Sequence, residues 1–217
     1  PIVVLCKRIE QATADASGSK GLQAAPQGPP RLWSYSYNRF GQKLTEVDPR
    51  NKTTQWAYFD DTNADHTQGD LRSTTNAAGQ TSRYSRYDKA GRVLTMSDAN
   101  GVVTQYSYTP RGWLKSVSVN PPAGGGASEV TGYDHYPTGL LKLATLPDGS
   151  TLKYDYDDAH RLTDVTDSAG NTVHYTLDEM GNRKAEKLKD QSGTLARSIT
   201  RVFDALNRLQ NVTGAQR

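Results

Sequence analysis

Only one cysteine, Cys6, occurs in 217 residues, so no disulfide within the chain can hold its fold. A solitary thiol leaves the redox compartment open. No apolar run approaches the ~18 residues that a membrane-spanning helix needs, so no membrane span is expected. Ile2 to Leu5 is too short for the apolar centre of a signal peptide, and none is expected within this chain. The four histidines, His66, His135, His160 and His174, lie in different segments, with no HxxxH and no His/Cys cluster, which argues against zinc. No Gly-x-Ser-x-Gly, GxGxxG or phosphate-loop motif is present, and Gly124 to Gly126 reads as a loop insert. The 26 basic and 23 acidic residues are interspersed, and without a Lys/Arg cluster the net charge of +3 does not point to nucleic acid.

Hydrophobic content is 35%, low for a compact globule, and twelve Tyr stand against three Phe. Tyrosine fits a pleated surface with one wet side, so this balance favours β-structure. The nineteen Gly and ten Pro are spaced as turn residues rather than gathered into a low-complexity tract. Their spacing reveals a repeat. Gly41, Gly69, Gly91, Gly112, Gly139, His160, Gly181 and Asn207 each precede an Arg-Leu-like pair, and the steps 91 to 112, 139 to 160 and 160 to 181 are all 21 residues. Ten residues on come second turns at Asn51, Gly79, Gly101, Gly149 and Gly170, and five further on the aromatics Trp56, Tyr84, Tyr106, Tyr154 and Tyr175.

The aromatic strands alternate with period two. Trp56/Tyr58, Tyr106/Tyr108, Tyr154/Tyr156 and Tyr175/Leu177 fall on one face, with Gln55, Gln105, Lys153 and His174 on the other, which predicts a sheet buried on one side. In the other strand of each unit, Leu162 and Val165, or Leu209 and Val212, are three apart, which predicts a β-bulge or sharp coil. One extra residue between Gly79 and Gly91 predicts that Tyr87 rather than Arg86 faces inward. The fold class expected is all-β: tandem hairpins in a long, twisted, curved antiparallel sheet. Three insertions, Asp60 to Gln68, Pro121 to Ser128 and Gln191 to Arg197, are expected to project as loops. Residues 1–32 read as the end of a preceding repeat plus a linker, with the loop over residues 12–31. Strand is favoured at the start, although Ile2, Leu5 and Ile9 also fit a helical spacing. Residues 33–217 read as about eight repeats, and the chain opens and ends in mid-pattern, as a piece of a longer polypeptide would.

Tyr87-Asp88-Lys89-Ala90-Gly91-Arg92-Val93, Tyr156-Asp157-Asp158-Ala159-His160-Arg161-Leu162 and Phe203-Asp204-Ala205-Leu206-Asn207-Arg208-Leu209 resemble the YDxxGRL signature of the Rhs/YD-repeat family. Thr166-Asp167-Ser168-Ala169-Gly170-Asn171-Thr172 resembles its TDxxGxxT half. The signature positions are Tyr58, Asp60, Tyr87, Asp88, Gly91, Arg92, Tyr108, Gly112, Tyr136, Gly139, Tyr156, Asp157, Arg161, Leu162, Gly170, Asp178, Gly181, Phe203, Asp204, Arg208 and Leu209. The departures are His160 and Asn207 for the turn glycine, and Leu177 and Phe203 for tyrosine. The resemblance implies a β-spiral that builds a hollow shell around a polypeptide. In bacteria such shells enclose a C-terminal toxin and deliver it to other cells. Related repeats occur in teneurins. Asp48-Pro49-Arg50-Asn51 superficially resembles the family's self-cleaving DPxGL motif, but it sits in an ordinary second turn with no GL or GGxN after it.

Repeated aspartates invite calcium or a glycosidase pair, but a turn aspartate ordinarily caps its own backbone, and no run has the alternating ligands of a calcium loop. No catalytic residue, cofactor or metal is therefore assigned. Asn51-Lys52-Thr53 and Asn211-Val212-Thr213 are glycosylation sequons only in a eukaryotic source. Two functions remain. One is a non-catalytic wall segment whose partners are the remaining repeats and an enclosed toxin, secreted or at the bacterial surface. The other is an extracellular carbohydrate- or protein-binding module using the same tyrosine face. The unpaired end strands also predict self-association of the isolated piece.

Overall fold

The computed structural model describes residues 3–123 and 125–216; Pro1, Ile2, Gly124 and Arg217 lie outside the described residues, and with them part of the opening run and of the glycine insert. The chain divides into two compact units, Pro1–Thr104 with Pro121–Gly125, and Gln105–Asn120 with Gly126–Arg217. In the first, β1 (Lys7–Thr13), β2 (Pro26–Tyr37), β3 (Lys43–Val47), β4 (Thr53–Tyr58), β5 (Leu71–Thr75), β6 (Thr81–Tyr87) and β7 (Val93–Ser97) pair in sequence order, each antiparallel to the next. Strand β8 (Val103–Tyr108) has its first residues in that unit and the rest in the second. There β9 (Leu114–Asn120), β10 (Glu129–His135), β11 (Leu141–Thr145), β12 (Thr151–Tyr156), β13 (Leu162–Asp167), β14 (Thr172–Leu177), β15 (Arg183–Lys189), β16 (Leu195–Phe203) and β17 (Leu209–Gln216) continue the same way. The only helical turn among the described residues is the 3-10 turn Gly21–Gln23.

The three-residue spacing of the second strands has the cause its pattern implies. Asp155 pairs with Asp164 and Tyr156 with Leu162, so Thr163 is an extra residue. That bulge keeps Leu162 and Val165 on the face of Tyr156 and Tyr154, which they oppose. It recurs at Leu44, Arg72 and Leu94 in the first unit and at Lys142, Lys184 and Gln210 in the second. Strand β6 carries a further irregularity between Tyr84 and Arg86, and beyond it Tyr87 stands opposite Val93, only 9% exposed, while Arg86 stays in solvent.

Every turn position identified by the repeat has positive φ, from Gly41 at 78° to Asn207 at 65°, and Gly193 at 82° adds one that the period did not reveal. Outside the lengthened Phe59–Asp70 turn the geometry is uniform: Asp157 N–H donates to the Arg161 carbonyl (3.0 Å), and His160 N–H donates back to that of Asp157 (2.9 Å). A tight turn closed by one left-handed residue matches the twist of the strands it joins.

Two expectations need correction. Residues 26–31 are the first half of β2, not loop: Pro26, Gln27 and Arg31 pair with Thr13, Ala12 and Glu10 of β1, and the boundary read at residue 32 falls inside that strand. The insertions also behave differently from one another. Residues 121–123 and 125–128, the described part of the second insertion, lie in the loop between β9 and β10. Residues 191–197 instead lengthen a hairpin, with a tight turn at Asp190–Gly193 and strand from Leu195. Residues 60–68 fold back on the sheet: the Asp65 carbonyl accepts the Tyr87 N–H (2.7 Å), and its carboxylate accepts Arg86 Nε (3.0 Å). Both paired cases follow from backbone groups finding partners that a free loop would leave to water.

His160 is the costly turn residue, since a β-carbon in the left-handed region costs roughly 1 kcal/mol or more and only asparagine and glycine visit it readily. His160→Gly is expected to raise the unfolding free energy by about 0.5–1 kcal/mol, after allowance for glycine's freedom when unfolded. Asn207→Gly should gain less. Urea unfolding of the two variants checks this, and a loss at His160 would show that its imidazole contributes more than the strain it imposes.

Candidate functional site

Most of the tyrosine-side turns are small polar assemblies built from their own five residues. Asp157 Oδ1 accepts the N–H groups of Ala159 (3.0 Å) and Arg161 (2.9 Å), while its Oδ2 accepts Arg161 Nε (2.8 Å). Asp88 with Arg92 and Asp204 with Arg208 repeat this. At Asp178 the side chain of Asn182 takes the arginine's place (2.9 Å). Asn38 caps its turn with a neutral side chain, and Thr109 Oγ1 accepts the Trp113 N–H beside Gly112. Asp60 is not part of such an assembly. Phe59 takes the turn position, its N–H donating to the Asp70 carbonyl (2.9 Å), and Asp60 lies exposed at the start of the insertion.

These partners hold the turn carboxyls below the usual range. The Arg161 side chain does so for Asp157, that of Asn182 for Asp178, and the Arg208 backbone N–H for Asp204. At Asp88 partial burial pushes upward, but the bonds from Arg92 and Ala90 outweigh it. In the second turns the Asn171 side chain lowers Asp167, and that of Ser192 lowers Asp190.

The turns are tied to one another in both directions along the rim. Backwards, Tyr58 Oη donates to the Lys43 carbonyl (3.1 Å), Tyr87 Oη to that of Leu71 (2.6 Å), and Tyr37 Oη to that of Leu5 (2.9 Å). Lys43 and Leu71 sit beside the bulges at Leu44 and Arg72, where the ladder is interrupted, so the phenol supplies a donor where the strand partner is displaced. Forwards, the residue after the turn glycine reaches the next turn. Gln42 Nε2 donates to the Gly69 carbonyl (2.7 Å), Arg161 to the Asp178 carbonyl (3.0 Å), and Asn182 to Asn207 Oδ1. Trp113 does the same by packing: a β-carbon at Gly139 would stand 3.0 Å from its ring, so that position needs glycine for space as well as for its φ of +94°. In the second unit Tyr136 Oη donates to the Tyr154 carbonyl and to Asp155, and its ring meets Tyr156 edge-on. Leu177 and Phe203 have no hydroxyl to give, so this tie is missing near β15 and β17. No sequence period could have shown these links, since they run from side chains to groups anywhere from 15 to 32 residues away.

The two faces differ. Trp56, Tyr58, Tyr154, Tyr156 and Tyr175 are half-buried in rows, while Gln55, Lys153 and His174 opposite are exposed. Lys43 lies over the Trp56 ring at 4.0 Å, and Arg183 over that of Tyr175 at 4.1 Å, so cations roof parts of the aromatic row. Among the described residues no group of three or more His, Cys, Asp or Glu is placed to hold a metal.

Tandem hairpins joined edge to edge and tied turn to turn define a structural repeat protein. The RHS Repeat family matches at residues 66–101, 87–125, 135–172 and 156–195, more than half of the chain, and the chain belongs to that family. It is 29% identical to Teneurin-m of Drosophila melanogaster over 145 residues, covering 66% of this chain and 5% of that protein. It is 28% identical over 164 residues to the tRNA3(Ser)-specific nuclease WapA of Bacillus spizizenii, covering 74% of this chain and 7% of that protein. The chain thus spans only a small part of the curated relatives it matches. Among solved structures, the crystal structure of TcdB2-TccC3-TEV superposes with a TM-score of 0.68 at 16% identity, over 94% of this chain and 12% of that one. The Photorhabdus luminescens Tc holotoxin pore does so with a TM-score of 0.52 at 14% identity, over 96% of this chain and 13% of that one. At these identities the likeness is one of fold, and the fold is that of tandem RHS repeats.

Two predictions follow from the rim. Removing the hydroxyl in Tyr87→Phe leaves the Leu71 carbonyl short of a partner in a part-buried setting, and should cost about 1–3 kcal/mol in urea unfolding. An unchanged midpoint would show that water replaces the phenol. The second concerns pH. Burial, then the nearby charges of Asp70 and Tyr84, push the Tyr87 phenol up to about 12. Its folded pKa exceeds the unfolded value near ~10, so its contribution is complete below that pH and is lost as pH rises toward ~12. The turn aspartates act oppositely. Their lowered pKa values give stability present above the unfolded value near ~3.9 and lost as pH falls through the folded ones. Denaturation midpoints should fall at both extremes, and Asp157→Asn, which can cap as Asn38 does, should blunt the acid arm. A midpoint indifferent to acid would remove the carboxylate bonds from the account.

Proposed function

We propose that this chain is a non-catalytic wall segment of an RHS-repeat shell that encloses a C-terminal toxin polypeptide for delivery to other cells. The observation that carries the reading is the fold likeness to TcdB2-TccC3-TEV, in which nearly all of this chain corresponds to a small part of a larger chain. The stitched rim supports it, because ties that run only between neighbours can extend through any number of repeats. The half-buried tyrosines also suit a lining, since a phenol packs and stays hydrated at once. In this reading residues 33–217 supply about eight repeats, and the residues before them close a preceding one. The signature residues serve the wall and not a reaction. Its partners are further repeats of the same polypeptide and the cargo, and its place is outside the producing cell.

The test uses the full-length polypeptide. Limited proteolysis should leave a segment beyond the repeats intact until the wall is breached, for instance by Tyr87→Ser. Prompt digestion of that segment in the intact protein would defeat the shell. Saturable binding of the 217-residue chain to glycans, lost on Tyr154→Ala, would favour the binding-module reading in its place.

A further inference from the structure

The insertion at residues 60–68 is where the repeat departs furthest from its own pattern. It folds as a closed unit: Asn63 Oδ1 accepts the Asp65 N–H (2.8 Å), Thr62 Oγ1 that of Gln68 (2.8 Å), and Asp70 Oδ2 that of Thr67 (2.8 Å). His66 stacks on Phe59 with ring centroids 3.5 Å apart. The insertion forms one wall of a groove of about 570 Å³ whose floor is β5 and β6. Arg72, the extra residue of a bulge, lines the groove beside Ser73, as bulges re-aim side chains. Arg83 stands directly across the strands from Ser73, and Ser85, displaced by the irregularity in β6, joins them.

The charges in this groove are unbalanced. The turn arginines Arg92, Arg161 and Arg208 each grip an aspartate. Asp65, the one acid that lines the groove, is engaged by Arg86 at 3.0 Å, and Asp61 outside it by His66 at 2.9 Å. Among the described residues no carboxylate lies within salt-bridge distance of Arg72 or Arg83. Two guanidinium forks without a carboxylate partner beside two serine hydroxyls, in a concave site walled by a hydrogen-bonded insertion, match an oxyanion's acceptors.

We propose that this groove binds a small tetrahedral oxyanion of the phosphate or sulfate class between Arg72 and Arg83, with Ser73 and Ser85 donating hydroxyl hydrogen bonds. The site is separate from the tyrosine rows and does not depend on the shell reading. The test titrates inorganic phosphate, and separately sulfate, into the 217-residue chain at low ionic strength, following the arginine Nε–H and backbone amide resonances. Saturable shifts confined to residues 59–86 are expected for both anions. Arg72→Gln with Arg83→Gln should weaken binding about tenfold or more, as loss of charged hydrogen bonds would, with an unchanged melting temperature. Arg39→Gln should leave it intact. Arg83→Lys, which keeps the charge but loses the fork, gives a milder variant if the double one is unstable, and should weaken binding severalfold. Shifts spread over the whole basic surface, or affinity unchanged in the arginine variants, would overturn the proposal.

Discussion

Backbone satisfaction at the rims is the constraint on which this molecule depends. Buried apolar side chains are too few to do that work: among the described residues only Tyr87, at 9% exposure, and Ala144, at 5%, form a buried hydrophobic core. The hydrophobic effect acts instead through half-buried rows, each side chain shielding its neighbours on one side. Apart from the register shifts within β1 and β6, the ladders are regular in mid-strand, so the places where hydrogen bonding can fail are chiefly the turns and the bulges beside them. At Tyr87-Asp88 one dipeptide addresses both: Asp88 accepts the turn's own N–H groups, and Tyr87 donates to the Leu71 carbonyl beside the preceding bulge, so the pair closes its own hairpin and fastens it to the last. Elsewhere the two tasks are divided, with Tyr58 supplying the phenol without an aspartate after it and Asp157 and Asp204 supplying the cap.

That division of labour accounts for which departures the repeat tolerates. Asn38 replaces the aspartate because an amide oxygen caps equally well, and Asn182 replaces the arginine because an amide N–H reaches the same carboxylate. His160 replaces glycine at the cost of strain in one residue. Leu177 and Phe203 keep the apolar contact but give up the hydroxyl, so their turns lack the phenol tie and are linked along the rim by Arg161 and Asn182 instead. The exposed Val202, Leu209 and Val212 lie in the same region. Where Phe59 displaces the aspartate altogether, the chain lengthens the turn and closes it with a separate set of side-chain bonds.

The parts of this architecture legible in the sequence are those set by local spacing. Left-handed turn residues, alternation in the aromatic strands and the inward place of Tyr87 all follow from counting, because turn and pleat geometry act over a few residues. The bulges were legible as an anomaly: Leu162 and Val165 cannot share a face unless a residue is skipped. What remained hidden depends on groups far apart in sequence or on backbone alone. Pro26 to Arg31 look like loop by composition yet pair with β1; this half of β2 extends beyond β3, whose pairing starts at Ser34, and an edge of that kind tolerates Pro and Gly. Composition likewise could not show that residues 60–68 dock on β6, because the contact uses the Asp65 carbonyl and the Tyr87 amide, which every residue of their kind carries. In the stitched rim, the residue types were visible and their partners were not.

A sheet assembled in this way has stability that is local and additive, with each hairpin fastened mainly to those before and after it. Such a chain can be lengthened without redesign, whereas a globular core of fixed volume cannot. It also leaves both faces free of any structural duty beyond the rows themselves. One face carries tyrosines that pack sideways and remain wettable, and the other is polar enough to accept a docked insertion between β4 and β5. Departures from the repeat are therefore affordable on the polar face and restricted along the rim. The long insertion, the re-aimed Arg72 and the unpaired Arg83 all occur at one such departure, where the wall has room to acquire a site without weakening the ties that make it a wall.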